Sequence, residues 1–150
     1  MDYFTAKQVT DVTQVSERNL HYWDSTGVIF PTKAANGAGR YRRYTREDVI
    51  CVSLVKRMRD ADISLQKIRK HALDIRHAVR QAAREGTVPL FLIEHKRRPL
   101  IVIRDPEKPK EVKQIIDTLK GCQLVLAFDL APIAEDVERS LMTAGSRRTR

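Results

Sequence analysis

The chain has 150 residues, of which 42% are hydrophobic, enough to bury one ordinary core or two small ones, so disorder throughout is excluded. A formal net charge of +9 points to a polyanionic partner. That excess is uneven: residues 1–86 carry 16 Lys and Arg against 10 Asp and Glu, residues 87–146 carry 9 of each, and the final RRTR adds three positive charges. Cys51 and Cys122 stand too far apart to suggest a disulfide framework or a thiolate metal site, and no apolar run is long enough to span a bilayer. A reducing, cytoplasmic setting with no membrane partner is expected.

Taken in order, Thr5 and Gln8 have capping-box spacing, predicting a short helix from Ala6 to about Asp11. Ser16 is the next candidate cap, with Leu20 and Trp23 at helical spacing behind it. A second helix is therefore expected from Glu17 to about Ser25, ending at Gly27. Two short helices joined by TQV form a helix-turn-helix. VIFP and YRRY, separated by TKAANGAG, then suggest a two-stranded hairpin. Thr45 caps a third helix reaching about Arg59, whose apolar face is Val49, Val52, Leu54, Val55 and Met58. Leu65, Ile68, Ala72, Ile75 and Val79 continue at three- and four-residue steps from Ser64, predicting one helix that ends at Gly86. Beyond it, LFLIEH and LIVIRD flank a KRRP bend as a second hairpin, and QLVLAF is a third strand. EVKQIIDTL and PIAEDVERSL complete the second half as helices, the latter with Pro132 in its first turn.

The fold class is therefore α+β. A DNA-binding unit over residues 1–63 is expected, then a connecting or dimerisation helix over 64–86. A small α+β unit over 87–144, for an effector, dimerisation or a protein partner, precedes a basic tail over 145–150.

In a helix-turn-helix the second helix enters the major groove, so the side chains near its N-terminus meet base edges or phosphates. Here these are Ser16, Glu17, Arg18, Asn19, His21 and Tyr22. Arg can read guanine, Asn adenine and Glu cytosine, while His21 and Tyr22 can donate to phosphate oxygens. Trp23 is expected in the core. The hairpin is the second candidate surface, because residues 33–46 hold Lys33, Arg40, Arg42, Arg43 and Arg46 and no acid. Strand alternation puts Arg40, Arg42 and Tyr44 on one face and Tyr41 with Arg43 on the other.

The strings TAKQVTDVTQVSERNLHYWDSTGVIFP, GRYRRYTREDV and SLQKIRK, in that order and at those spacings, resemble the MerR family of transcriptional regulators over about residues 3–75. The resemblance implies a winged helix-turn-helix that binds an inverted-repeat operator as a homodimer. It implies that Tyr41, Arg42 and Arg43 of the wing contact phosphates, while His21 stands where the family usually has Arg. Residues 87–144 carry no cysteine loop of the metal-sensing type. Their LIVIRD, polar helix and GCQLVLAFDL strand faintly resemble the C-terminal units of MerR-like antitoxins, which supplies an alternative: an autoregulating antitoxin whose C-terminal half binds a toxin.

An enzyme is not expected. His21, His71, His77 and His95 are scattered, and no nucleophile elbow, phosphate loop or dinucleotide fingerprint is present. No cofactor or metal is expected either. Cys51, set among Ile50, Val52 and Leu54, reads as a buried small hydrophobe. The apolar face of the helix from Ser64 to Glu85 is one candidate dimer seam. If a dimer neutralises six to ten phosphates, affinity falls by roughly three to five powers of ten between low and moderate salt.

Overall fold

Helix α3 (Arg46–Asp60) buries eight of its fifteen residues: Asp48, Val49, Ile50, Cys51, Val52, Leu54, Val55 and Met58. A helix apolar around so much of its circumference has to be surrounded, and the other elements are arranged about it. The computed structural model describes residues 2–33, 42–94, 100–122 and 124–146. Ahead of α3 come β1 (Phe4–Thr5), α1 (Ala6–Thr13), α2 (Glu17–Ser25), β2 (Thr32–Lys33) and β3 (Arg42–Tyr44). After it come α4 (Leu65–Lys70), α5 (Ala72–Glu85), β4 (Leu90–Glu94), β5 (Ile101–Ile103), α6 (Pro109–Leu119), β6 (Val125–Asp129) and α7 (Leu130–Ser146). The mixed helix and strand content agrees with the α+β expectation.

The helix starts follow the capping chemistry in the sequence. Thr5 Oγ1 accepts the N–H of Gln8 at 3.3 Å while Gln8 Oε1 accepts the N–H of Thr5 at 2.8 Å, the reciprocal pair of a capping box. Thr45 and Asp48 do the same for α3, at 3.2 and 2.9 Å. This makes Asp48 a buried carboxylate with a structural task.

Two expectations are corrected. VIFP is not a strand: the Trp23 carbonyl accepts the N–H groups of Val28 at 2.8 Å and Ile29 at 3.3 Å, and Gly27 N–H reaches the Asp24 carbonyl at 3.2 Å. Gly27, at φ 76°, takes the left-handed conformation this helix ending requires. Val28 and Ile29 are both buried, which strand alternation on one core face forbids, so the apolar run is a plug in the core. The strand facing Arg42 and Arg43 is instead Lys33 and Thr32. Likewise, the helix expected from Ser64 to Gly86 is two helices, broken at His71, whose φ of −114° and ψ of 7° leave the helical region. His71 Nε2 accepts the N–H of Leu100 at 3.4 Å. Apolar steps of three and four run straight through the break, so periodicity could not reveal it.

The first sheet has strand order β1-β3-β2, with Phe4 opposite Tyr44 and Thr5 opposite Arg43. The second has order β5-β4-β6, both pairings antiparallel, so β5 and β6 run parallel and α6 is their crossover connection. Phe91 and Ile93 of β4 and Leu130, Ile133 and Val137 around α7 share one buried cluster with Val9, Leu20, Leu54 and Met58. Helix α7 packs against α1 and α3, and Arg57–Asp136 at 2.7 Å and Arg46–Glu138 at 3.1 Å tie it there.

Ile68 of α4 and Ile75, Val79 and Ala82 of α5 are buried within the chain, whereas Leu73 of α5 is 65% exposed.

Burial pushes the Cys51 thiol from 9.0 up to about 12 and the Tyr44 phenol from 10.0 up to about 12. Both groups ionise first in the unfolded chain, so their stabilising effect is complete below pH 9 and is lost as pH rises toward 12. Thermal melting should therefore show a midpoint that falls steadily between pH 9 and 12, and a midpoint level to pH 11 would contradict the assignment.

Candidate nucleic-acid interface

Helix α2 is held by two anchors and, apart from the sheltered Asp24, offers the rest of its residues to solvent. Leu20 and Trp23, three residues apart, are 1% and 5% exposed and enter the core, while Glu17, Arg18, Asn19, His21 and Tyr22 are all exposed. This is the division that an amphipathic reading helix needs. Ser16 Oγ accepts the N–H of Asn19 at 3.1 Å, so its hydroxyl is engaged as the helix cap. Trp23 is the core residue the sequence suggested, and Tyr22, at 53% exposure, is a surface residue.

Helix α1 supports α2 through a tight turn. Gln14 adopts the left-handed conformation at φ 62° and its N–H reaches the Thr10 carbonyl at 2.8 Å, after which Val15 is buried. Thr13 Oγ1 donates to the Val9 carbonyl at 2.7 Å and accepts the N–H of Val15 at 3.3 Å, so this buried hydroxyl is satisfied within the turn.

The wing strand β3 presents three different environments in three residues. Tyr44 is 1% exposed and anchors the strand to the core. Arg43 is exposed, its guanidinium carbon 6.0 Å from the centroid of the Tyr3 ring, a cation–π distance that holds the side chain without neutralising it. Arg42 lies between these extremes: Nε meets the Asp24 carboxylate and a terminal nitrogen meets Nδ1 of His21. The alternation of Arg43 and Tyr44 was legible in the sequence, whereas the turn of Arg42 toward α2 was not. Lys33 is placed by its backbone opposite Arg42. Arg40 and Tyr41, the remaining candidates of the wing, lie outside the described residues.

The structure thus brings together, from distant parts of the sequence, the exposed face of α2, Arg42, Arg43 and the chain's first strand. Sequence reasoning overlooked Tyr3, Asp24 and β1. A two-residue strand gives no periodic signal, and Asp24 resembles any solvated helix-end acid until the wing folds over it. Arg46, also in the basic stretch, pairs with Glu138.

Among the described residues, no group of three or more His, Cys, Asp or Glu side chains is placed to hold a metal ion. No helix there is long and apolar enough to cross a membrane. Burial lowers the pKa of the His71 imidazole from its ordinary value.

Residues 4–74 match a family model described as MerR HTH family regulatory protein. The chain is 36% identical over 59 residues to an uncharacterized HTH-type transcriptional regulator of Mycobacterium tuberculosis, and equally to one of Mycobacterium bovis, covering 39% of this chain and 26% of each relative. It is 24% identical over 136 residues to the nodulation protein NolA of Bradyrhizobium elkanii, covering 91% of this chain and 56% of that protein. The chain thus spans about a quarter of the mycobacterial relatives' length and about half of the nodulation protein's.

The anchors and the exposed face of α2 separate experimentally. Trp23→Ala should cost about 3–5 kcal/mol of stability in urea unfolding, whereas Tyr22→Ala should stay within about 0.5 kcal/mol of the parent. Equal losses would mean that Tyr22 packs as core.

Proposed function

We propose, from the premise that residues 4–74 belong to the MerR HTH family of regulatory proteins, that the chain is a sequence-specific DNA-binding transcriptional regulator. It acts as a homodimer on an inverted repeat, with α2 in the major groove and the wing along the phosphate backbone. The observation that carries this reading is the exposure of Glu17, Arg18, Asn19, His21 and Tyr22 on one capped helix whose other face is anchored by Leu20 and Trp23.

In this arrangement Arg18 and Asn19 are suited to purine edges and Glu17 to cytosine, while His21, Tyr22 and Arg43 supply donors to phosphate, with Lys33, Arg40 and Tyr41 adding to the wing. Ser16 holds the helix end whose partial positive charge favours a phosphate. One such helix reads only a few base pairs, and a two-fold pair of them accounts for useful specificity. No catalytic step, cofactor or metal is part of the proposal.

A second reading is favoured by one feature of the C-terminal half. Helix α6 buries none of its residues, and Val112, Ile116 and Leu119 are 41%, 51% and 49% exposed with Leu124 nearby at 53%. An apolar stripe of this kind suits a protein partner. An autoregulating antitoxin would use it to hold its toxin, and would co-purify with a small nuclease from the native host.

Selection of bound fragments from a random DNA pool at moderate salt tests the regulator directly. The expected product is an inverted repeat whose spacing gives the separation of the two reading helices; a pool without a motif would refute sequence-specific reading. On the selected operator, Arg43→Ala should weaken binding to all sequences alike and reduce the slope of log affinity against log salt by about 2 per dimer.

A further inference from the structure

We propose that Arg42 is a positioning residue, a clamp that locks the wing to the reading helix and orients His21, instead of a phosphate contact. This deepens the regulator reading and rests on it. The guanidinium of Arg42 in β3 spans two side chains of α2, with Nε on the Asp24 carboxylate and a terminal N–H on Nδ1 of His21. His21 and Asp24 stand three residues apart, so they share one face of α2 and form a two-point seat for a planar fork. The Arg42 side chain is 27% exposed and that of Asp24 is 12% exposed, a sheltered setting in which opposite charges attract more strongly than in open water.

Two consequences follow from the chemistry of the three groups. First, arginine only donates hydrogen bonds, so Nδ1 of His21 is the acceptor and the neutral ring carries its proton on Nε2. His21 is exposed, and this Nε2–H is the donor it retains for a phosphate oxygen. Second, the positive charge of Arg42 is answered by Asp24, whereas that of Arg43 is held over the neutral ring of Tyr3. Arg43 therefore displaces a counterion when DNA binds, and Arg42 displaces none. The neighbouring arginines of the wing divide the work: one fixes the angle between wing and helix, the other meets the backbone.

A distinct chemical signature is available without DNA. In the full chain, an NMR spectrum of arginine side chains should show a slowly exchanging Arg42 Nε–H signal that disappears in Asp24→Asn; its absence from the parent protein would overturn the clamp. Binding to the selected operator across a salt series supplies the functional readout. Arg42→Ala, Arg42→Lys and Asp24→Asn should each weaken binding by about tenfold with the salt slope unchanged, and Arg42→Ala with Asp24→Asn together should be no worse than either alone. Lysine keeps the charge but cannot span both partners, so retention of full affinity in Arg42→Lys would overturn the proposal. So would a slope flattened by about 2 per dimer in Arg42→Ala alongside unweakened binding in Asp24→Asn. If the parent protein selects no operator, the regulator reading fails; the Nε–H signal still decides the clamp.

Discussion

The burial of α3 is the constraint on which the rest of the molecule depends. With Val49, Ile50, Cys51, Val52, Leu54, Val55 and Met58 all withdrawn from water, this helix cannot lie at the edge of a domain. α1 and α7 pack on it, as do α4, α5 and β3. Each neighbour spends its own apolar face on that contact, which leaves the polar faces turned outward. The exposed side of α2 follows from this arrangement, because a helix pinned at Leu20 and Trp23 has only one way to face.

Local chemistry then sets where the elements begin and end. Thr5 with Gln8 and Thr45 with Asp48 close reciprocal caps, and Ser16 and Ser64 cap through single bonds. Gly27 closes α2 with both hydrogen bonds of a left-handed helix ending. Helix α2 is therefore framed by a serine at one end and a glycine at the other.

These are the features that were legible from residues alone. Caps, helix stops and the apolar steps of α3 are local signals, and α1, α2 and α3 were found through them, while β4 was read from its apolar run. What escaped was non-local. VIFP has the composition of a strand, but its backbone bonds back to Trp23, a preference decided by the plug it forms. The break at His71 leaves the apolar periodicity unbroken, and the bond to Leu100 that accompanies it comes from 29 residues downstream. Of the interface, the outward residues of α2 and the alternation of Arg43 with Tyr44 could be read directly. The engagement of Arg42 by Asp24 could not, because two residues of opposite charge in a sequence rich in both do not announce that they will meet.

The seating of α7 has a bearing on how such chains can be rebuilt by recombination. Leu130, Ile133 and Val137 belong to the same buried cluster as Val9 and Met58, so the last helix completes the hydrophobic interior shared with α1 and α3. A gene fusion that joined residues 1–86 to a different sensor would discard that helix and leave apolar surface on α1 and α3 uncovered. Residues 1–86 are not a portable cassette; a viable hybrid has to carry its own replacement for α7 and for Phe91 and Ile93 of β4, which share that cluster.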